Sequence, residues 1–206
     1  MNYDDFLKQK EKIEKLSTEE QKKFYEQILE NKQEKTEVCV NASFCYGHLF
    51  YQEGNFGKTI EIIEPIVVEY QSYPYTPKLL SCFNLIGVAT HCEAEYNVSR
   101  FFYETALKIA REHGESFYYA FEYNNIALAY IAEQNYTEAI KNLELAEDAL
   151  KDCDEEMGAY VYINKSISLQ KLNRLSEALQ AFETGVKQYH ADKIVPDDEC
   201  DIIGTS

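Results

Sequence analysis

At 206 residues, 45% of them hydrophobic and 27% charged, the chain is long enough for one sizeable core or for an elongated array. Its 36 acids against 20 bases leave a net charge of −16, a surface that repels phosphate backbones and anionic lipid and so argues against nucleic acid as a partner. No apolar run of about 18 residues occurs, so no membrane-spanning helix is predicted.

Trp is absent, and 17 Tyr with 11 Phe supply the large apolar volume. Only 8 Gly and 4 Pro are present, which suits an all-helical chain. The N-terminal stretch MNYDDFLKQKEKIEK is charged throughout and lacks an apolar signal-peptide core, so a cytoplasmic location is predicted. The six cysteines (39, 45, 82, 92, 153 and 200) form no CxxC and no regular framework. In a reducing compartment they read as small buried apolar residues.

Residues 2–15 set Tyr3, Phe6, Leu7 and Ile13 at helical spacing among charges. Ser17-Thr18-Glu19-Glu20 has the form of a capping box, with Ser17 as the cap and Glu20 reaching back. A second amphipathic helix, about 18–33, carries Phe24, Tyr25, Ile28 and Leu29. Residues 1–36 therefore read as an N-terminal helical pair that caps an array. Thr36 starts the next helix, about 37–53, and Glu53-Gly54-Asn55 is its turn. The following helix, about 56–71, holds Pro65, which removes a backbone hydrogen bond and is expected to kink it. Tyr73-Pro74-Tyr75-Thr76-Pro77 reads as a rigid connector, and Gly114 as a C-cap.

Residues 120–150 hold two helical patterns back to back. Tyr123, Ile126, Ala127 and Tyr130 share one face; after Glu133-Gln134-Asn135, so do Tyr136, Ala139, Leu143, Ala146 and Leu150. Such a hairpin cannot bury its apolar faces alone and needs copies beside it. The copies are present. Stepping back by 40 gives Phe83, Ile86, Gly87 and Thr90, then Tyr96, Ser99, Tyr103 and Ala106. Another step of 40 gives Ser43, Tyr46, Gly47 and Phe50, then Phe56, Thr59, Ile63 and Ile66. Stepping forward by 39 gives Tyr162, Lys165, Ser166 and Leu169, then Leu175, Ala178, Phe182 and Gly185.

This pattern resembles the tetratricopeptide repeat (TPR) family. Ile86-Gly87 and Tyr46-Gly47 match its Leu-Gly pair, while Ala106, Ala139 and Ala178 match its small positions. The chain departs from it in a period near 40 where the family uses about 34, in Lys165 at an apolar position, and in lacking the terminal proline. The resemblance implies an all-α, right-handed TPR-like solenoid of about ten helices: four hairpins (37–76, 77–115, 116–154, 155–190) after the N-terminal pair. Residues 191–206, acidic and broken by Pro196, read as a flexible tail.

The sequence carries no phosphate loop, GxSxG, HExxH or dinucleotide fingerprint. Cys45 with His48, and His91 with Cys92, lack metal-ligand spacing, so neither metal nor cofactor is predicted. By the repeat register, first-helix positions line a concave groove: Asn41, Phe44, His48, Tyr51, Asn84, His91, Phe121, Asn124 and Tyr160. A solvated face would be rich in Lys and Glu; amides and rings suit a peptide or protein ligand. Alternatively, the asparagines satisfy bonds between helices.

The resemblance extends to sensory or scaffolding regions of bacterial signalling proteins, in which a diguanylate cyclase or kinase output domain follows the repeats. The alternative is a stand-alone adaptor subunit, with an enzyme a distant third. In the last helix, Ala178, Phe182 and Gly185 are expected to face their own hairpin. Leu175, Leu179 and Val186 lie beside them, so the chain is expected to continue into a longer protein or to form a homodimer through Leu179 and Val186.

Overall fold

The computed structural model of the chain describes residues 1–30, 35–150 and 155–190. The tail expected at 191–206 lies outside the described residues. Among the described residues there are ten α-helices and no strand. They are α1 (Tyr3–Ile13), α2 (Thr18–Glu30), α3 (Glu37–Gln52), α4 (Phe56–Val68), α5 (Pro77–Cys92), α6 (Tyr96–His113), α7 (Phe117–Ala132), α8 (Tyr136–Ala149), α9 (Glu155–Lys171) and α10 (Leu175–His190).

Local chemistry sets the helix ends. Glu20 reaches back to Ser17 as the box requires, its Oε2 accepting from the Ser17 amide at 3.1 Å, but the Ser17 hydroxyl donates to the same oxygen at 2.6 Å and the Glu20 amide bonds the Ser17 backbone carbonyl instead. Thr36 Oγ1 accepts from the Cys39 amide at 3.4 Å and starts α3. Asn55 caps α4 and Asn135 caps α8 in the same way, through the amides of Lys58 and Glu138. Gly114, at φ 73°, ends α6 in the left-handed conformation. The helix around Pro65 is shorter than its apolar pattern suggests: α4 stops at Val68, and a 3₁₀ turn, Tyr70–Ser72, follows.

Two compact units are present. The first is Met1–Ala94, holding α1 to α5; the second holds α6 to α10. In the first, Phe6 and Tyr25 of the N-terminal pair bury against Val38 and Ala42 of α3. Gly47 lets α3 and α4 approach closely: a Cβ there would lie 2.9 Å from Ile63. Thr59 Oγ1, fully buried, donates to the Gly47 carbonyl at 3.1 Å and fixes the same crossing. In the second unit, Ala127, Ala139, Leu143 and Ala146 pack with Met157 and Val161 of α9. Ile140, Leu169, Ala178 and Ala181 continue that core toward α10.

Lys165 occupies its apolar register position because α8 supplies a partner. Its Nζ lies 2.6 Å from Glu147 Oε2, and the Tyr162 hydroxyl donates to the same carboxylate at 2.8 Å. Burial alone would raise the Glu147 carboxyl, but these two hydrogen bonds outweigh it and hold it below the usual range. Burial and the neighbouring carboxylate push the Tyr162 phenol up to about 12.

The expectation that Phe182 faces its own hairpin is corrected. Phe182 is 50% exposed, whereas Ala181 is buried and Gly185 sits against the Ala159 carbonyl and Tyr162. The hairpin face of α10 is thus Ala178, Ala181 and Gly185. Phe182 belongs to an outer stripe with Leu175 and Leu179.

Candidate functional site

The groove residues expected from the register lie on α3, α5, α7 and α9. On α3, positions 44, 48 and 51 share one helix face. Their rings form a continuous run: Phe44 and His48 stack at 5.8 Å, His48 and Tyr51 at 6.3 Å. Tyr51 then meets Phe56, the first residue of α4, at 5.6 Å. Phe44 is buried; His48 and Tyr51 are half-buried. Lys78, second residue of α5, lays its ammonium 4.2 Å from the Phe44 ring centroid, a cation–π contact.

The electrostatics of this run follow from desolvation. Burial pushes the Lys78 ammonium below the ordinary lysine range, and nearby Lys10 adds to the effect. Burial pushes His48 below its ordinary value as well, with the Lys78 charge as a second cause. His91, on α5, is lowered by burial alone. Both imidazoles are therefore neutral at neutral pH. His48 Nε2 is buried and has no hydrogen-bond partner among the described residues.

The amides are placed differently from the rings. Asn41, Asn84 and Asn124 are all buried, at 4%, 4% and 5% exposure. Asn41 Nδ2 donates to the Glu37 carbonyl one turn back at 3.1 Å. Asn124 Oδ1 accepts from Asn164 Nδ2 at 2.9 Å and ties α7 to α9. Asn41 and Asn124 thus serve the packing of their own units, and the rings are what the α3 face offers. In the second unit, Phe121 packs on Phe117 at 5.0 Å, and both Phe121 and Tyr160 are half-buried.

Sequence reasoning missed Phe56 and Lys78. Phe56 lies past the Gly54 turn and belongs to the core-facing pattern of its own helix. Lys78 follows Pro77 at the start of α5, outside the first-helix register. Among the described residues no group of three or more His, Cys, Asp or Glu is placed to hold a metal ion. None of the described helices is long and apolar enough to cross a membrane.

No family model matches the sequence, and no curated protein matches it either. Solved structures do share the fold. The crystal structure of MamA is similar with a TM-score of 0.66 at 15% identity, covering 92% of this chain and 95% of that chain. A crystal structure of Podosopora anserina putative kinesin light chain nearly identical TPR-like repeats is similar with a TM-score of 0.68 at 14% identity, covering 84% and 85%. The fold is an all-α, TPR-like solenoid.

Proposed function

We propose that this chain is a protein- or peptide-binding module that takes its ligand on the first-helix face, chiefly at Phe44, His48 and Tyr51. The observation that supports it most is the stacked run on α3. A solvated helix face is ordinarily Lys- and Glu-rich; this one presents rings flanked by a half-buried ammonium. Rings supply contact area at low conformational cost, which is why they dominate binding hot spots. A peptide array probed with the wild type and with His48→Ala/Tyr51→Ala tests this. Peptides retained by the wild type are expected to be lost by the double variant. Equal retention by both would place the ligand elsewhere.

The wider setting we infer is a cytoplasmic sensory or scaffolding segment of a larger bacterial signalling protein, with four hairpins behind an N-terminal cap. A stand-alone adaptor is the alternative. The TPR-like pattern and the lack of any catalytic motif in the sequence support both over an enzyme. A transcript read beyond Ser206 into an output domain would favour the first; a stop codon there would favour the second.

The outer stripe of α10 favours a second contact, a homodimer through Leu179 and Val186. Leu175 and Leu179 are 60% and 59% exposed, and Phe182 joins them.

A further inference from the structure

Ser43 stands in the repeat register where the other three hairpins carry a ring: Phe83, Tyr123 and Tyr162. Each of those rings reaches back to the helix before its own, or to the turn that follows it. Phe83 meets Tyr70 edge-on at 5.4 Å. Tyr123 lies under the Arg111 guanidinium and accepts its hydrogen bond. Tyr162 donates to Glu147. At Ser43 there is no ring, and a cavity of about 390 Å³ opens between α2, α3 and α4. That volume is in the range of ligand pockets, about 300–1,000 Å³.

The lining is specific. Leu29 of α2 and Ile62, Pro65 and Ile66 of α4 make an apolar wall. Ser43 is 2% exposed, lines the cavity, and makes no hydrogen bond to a described residue. The rim carries Glu26 and Glu30 on α2, with two ion pairs opposite: Lys58–Glu61 at 2.7 Å and Lys35–Glu69 at 2.5 Å. The rim lysines are thus already neutralised. Glu26 and Glu30 are exposed and form no close ion pair among the described residues, Glu26 acting on Lys58 only at longer range.

We propose that this cavity is a docking pocket for an aromatic or long aliphatic side chain carried on a basic segment of a partner protein. The incoming side chain fills the space that a ring of this chain fills in the other hairpins, and burying it is favourable in proportion to the apolar area covered. A flanking Lys or Arg of the partner meets Glu26 and Glu30. A second copy of this chain, at a net −16, is the wrong charge for that rim. The pocket lies on the face of α3 opposite Phe44, His48 and Tyr51, so it stands independently of the first-helix reading.

The test uses three blocked tripeptides as probes, Lys-Phe-Lys, Glu-Phe-Glu and Lys-Ala-Lys, titrated calorimetrically at low salt into the whole chain. Lys-Phe-Lys is expected to bind at least about tenfold more tightly than either of the others, a difference that needs both the ring and the charge. Ser43→Phe restores the register's ring. It is expected to keep the helical circular-dichroism spectrum and to lose Lys-Phe-Lys binding by about tenfold. Should Ser43→Phe not fold, Glu26→Lys/Glu30→Lys changes only exposed side chains and is expected to reverse the preference toward Glu-Phe-Glu. Equal affinity for the charge-reversed or ring-less probe would overturn the proposal. So would unchanged binding in the rim variant, or no binding of any probe. Phenethylammonium binding as tightly as the tripeptide would mark a small-amine site and overturn the partner-protein reading.

Discussion

At the scale of single residues, backbone geometry and burial decide most outcomes. The short turns after α3, α5, α7 and α9 place Gly54, Ala94, Gln134 and Asn173 in the left-handed region, at φ 72°, 61°, 61° and 60°. One turn uses glycine; the others hold side chains in a conformation that costs L-residues about 1–2 kcal/mol. Glycine at Gln134 relieves that cost but adds about 0.5–1 kcal/mol of unfolded-state entropy. Gln134→Gly is therefore expected to raise stability by up to about 1.5 kcal/mol in urea denaturation, the difference of the two terms. A loss of stability would contradict this. Leu143 is fully buried, and Leu143→Ala is expected to cost about 2–5 kcal/mol. The histidines give a pH signature. An ordinary imidazole titrates near about 6.5, and burial lowers both His48 and His91 in the fold. As pH falls through the ordinary value, the unfolded chain takes up protons that the folded chain refuses. Their contribution is intact above that pH and is lost progressively below it, down through the folded values. Carboxylates titrate lower, so the window just below about 6.5 isolates the histidines. In that window His48→Phe is expected to flatten the pH dependence of the urea midpoint. An unaltered slope would mean His48 is protonated as easily folded as unfolded.

At the scale of elements, helix number was legible because small and large residues recur at a fixed period. Ala127, Ala139 and Ala146 are all fully buried where helices cross. What the pattern could not supply was the neighbour of each face. Leu143 and Phe182 share one register position, yet the first is fully buried and the second 50% exposed. Met157 and Val161 of α9 pack against Leu143, while no described helix follows α10 to do the same for Phe182. Lys165 looked out of place for the same reason, since its partner is on α8. On the first helices the rings were readable by spacing, but the burial of Asn41, Asn84 and Asn124 was not, because helical periodicity does not say how closely the next helix approaches. The Lys165–Glu147 pair can be measured. Its two side chains are 19% and 34% exposed. A double-mutant cycle with Lys165→Met and Glu147→Gln is expected to give a coupling of roughly 0.5–3 kcal/mol, as for contacting residues in one network. A coupling of zero would make this an incidental contact.

At the scale of the whole molecule, two opposing terms act on self-association. The stripe of Leu175, Leu179 and Phe182 favours a copy of itself, since burying exposed apolar area is the driving force of most association. A net charge of −16 on each copy opposes it. The repulsion is long-ranged and screened by salt; the apolar contact is not. Between roughly 10 mM and roughly 1 M salt the Debye length shrinks from about 30 Å to about 3 Å. The dimer fraction seen by light scattering is therefore expected to rise with salt. An interface held by ion pairs would do the reverse, so the direction of the salt effect identifies the force. Leu179→Glu puts a charge at the centre of the stripe on a side chain that is already 59% exposed, so the monomer's melting temperature is expected to hold while the dimer disappears at every salt concentration. A wild type that stays monomeric throughout the salt series would defeat the homodimer reading, and a Leu179→Glu variant that still dimerises would move the interface away from α10.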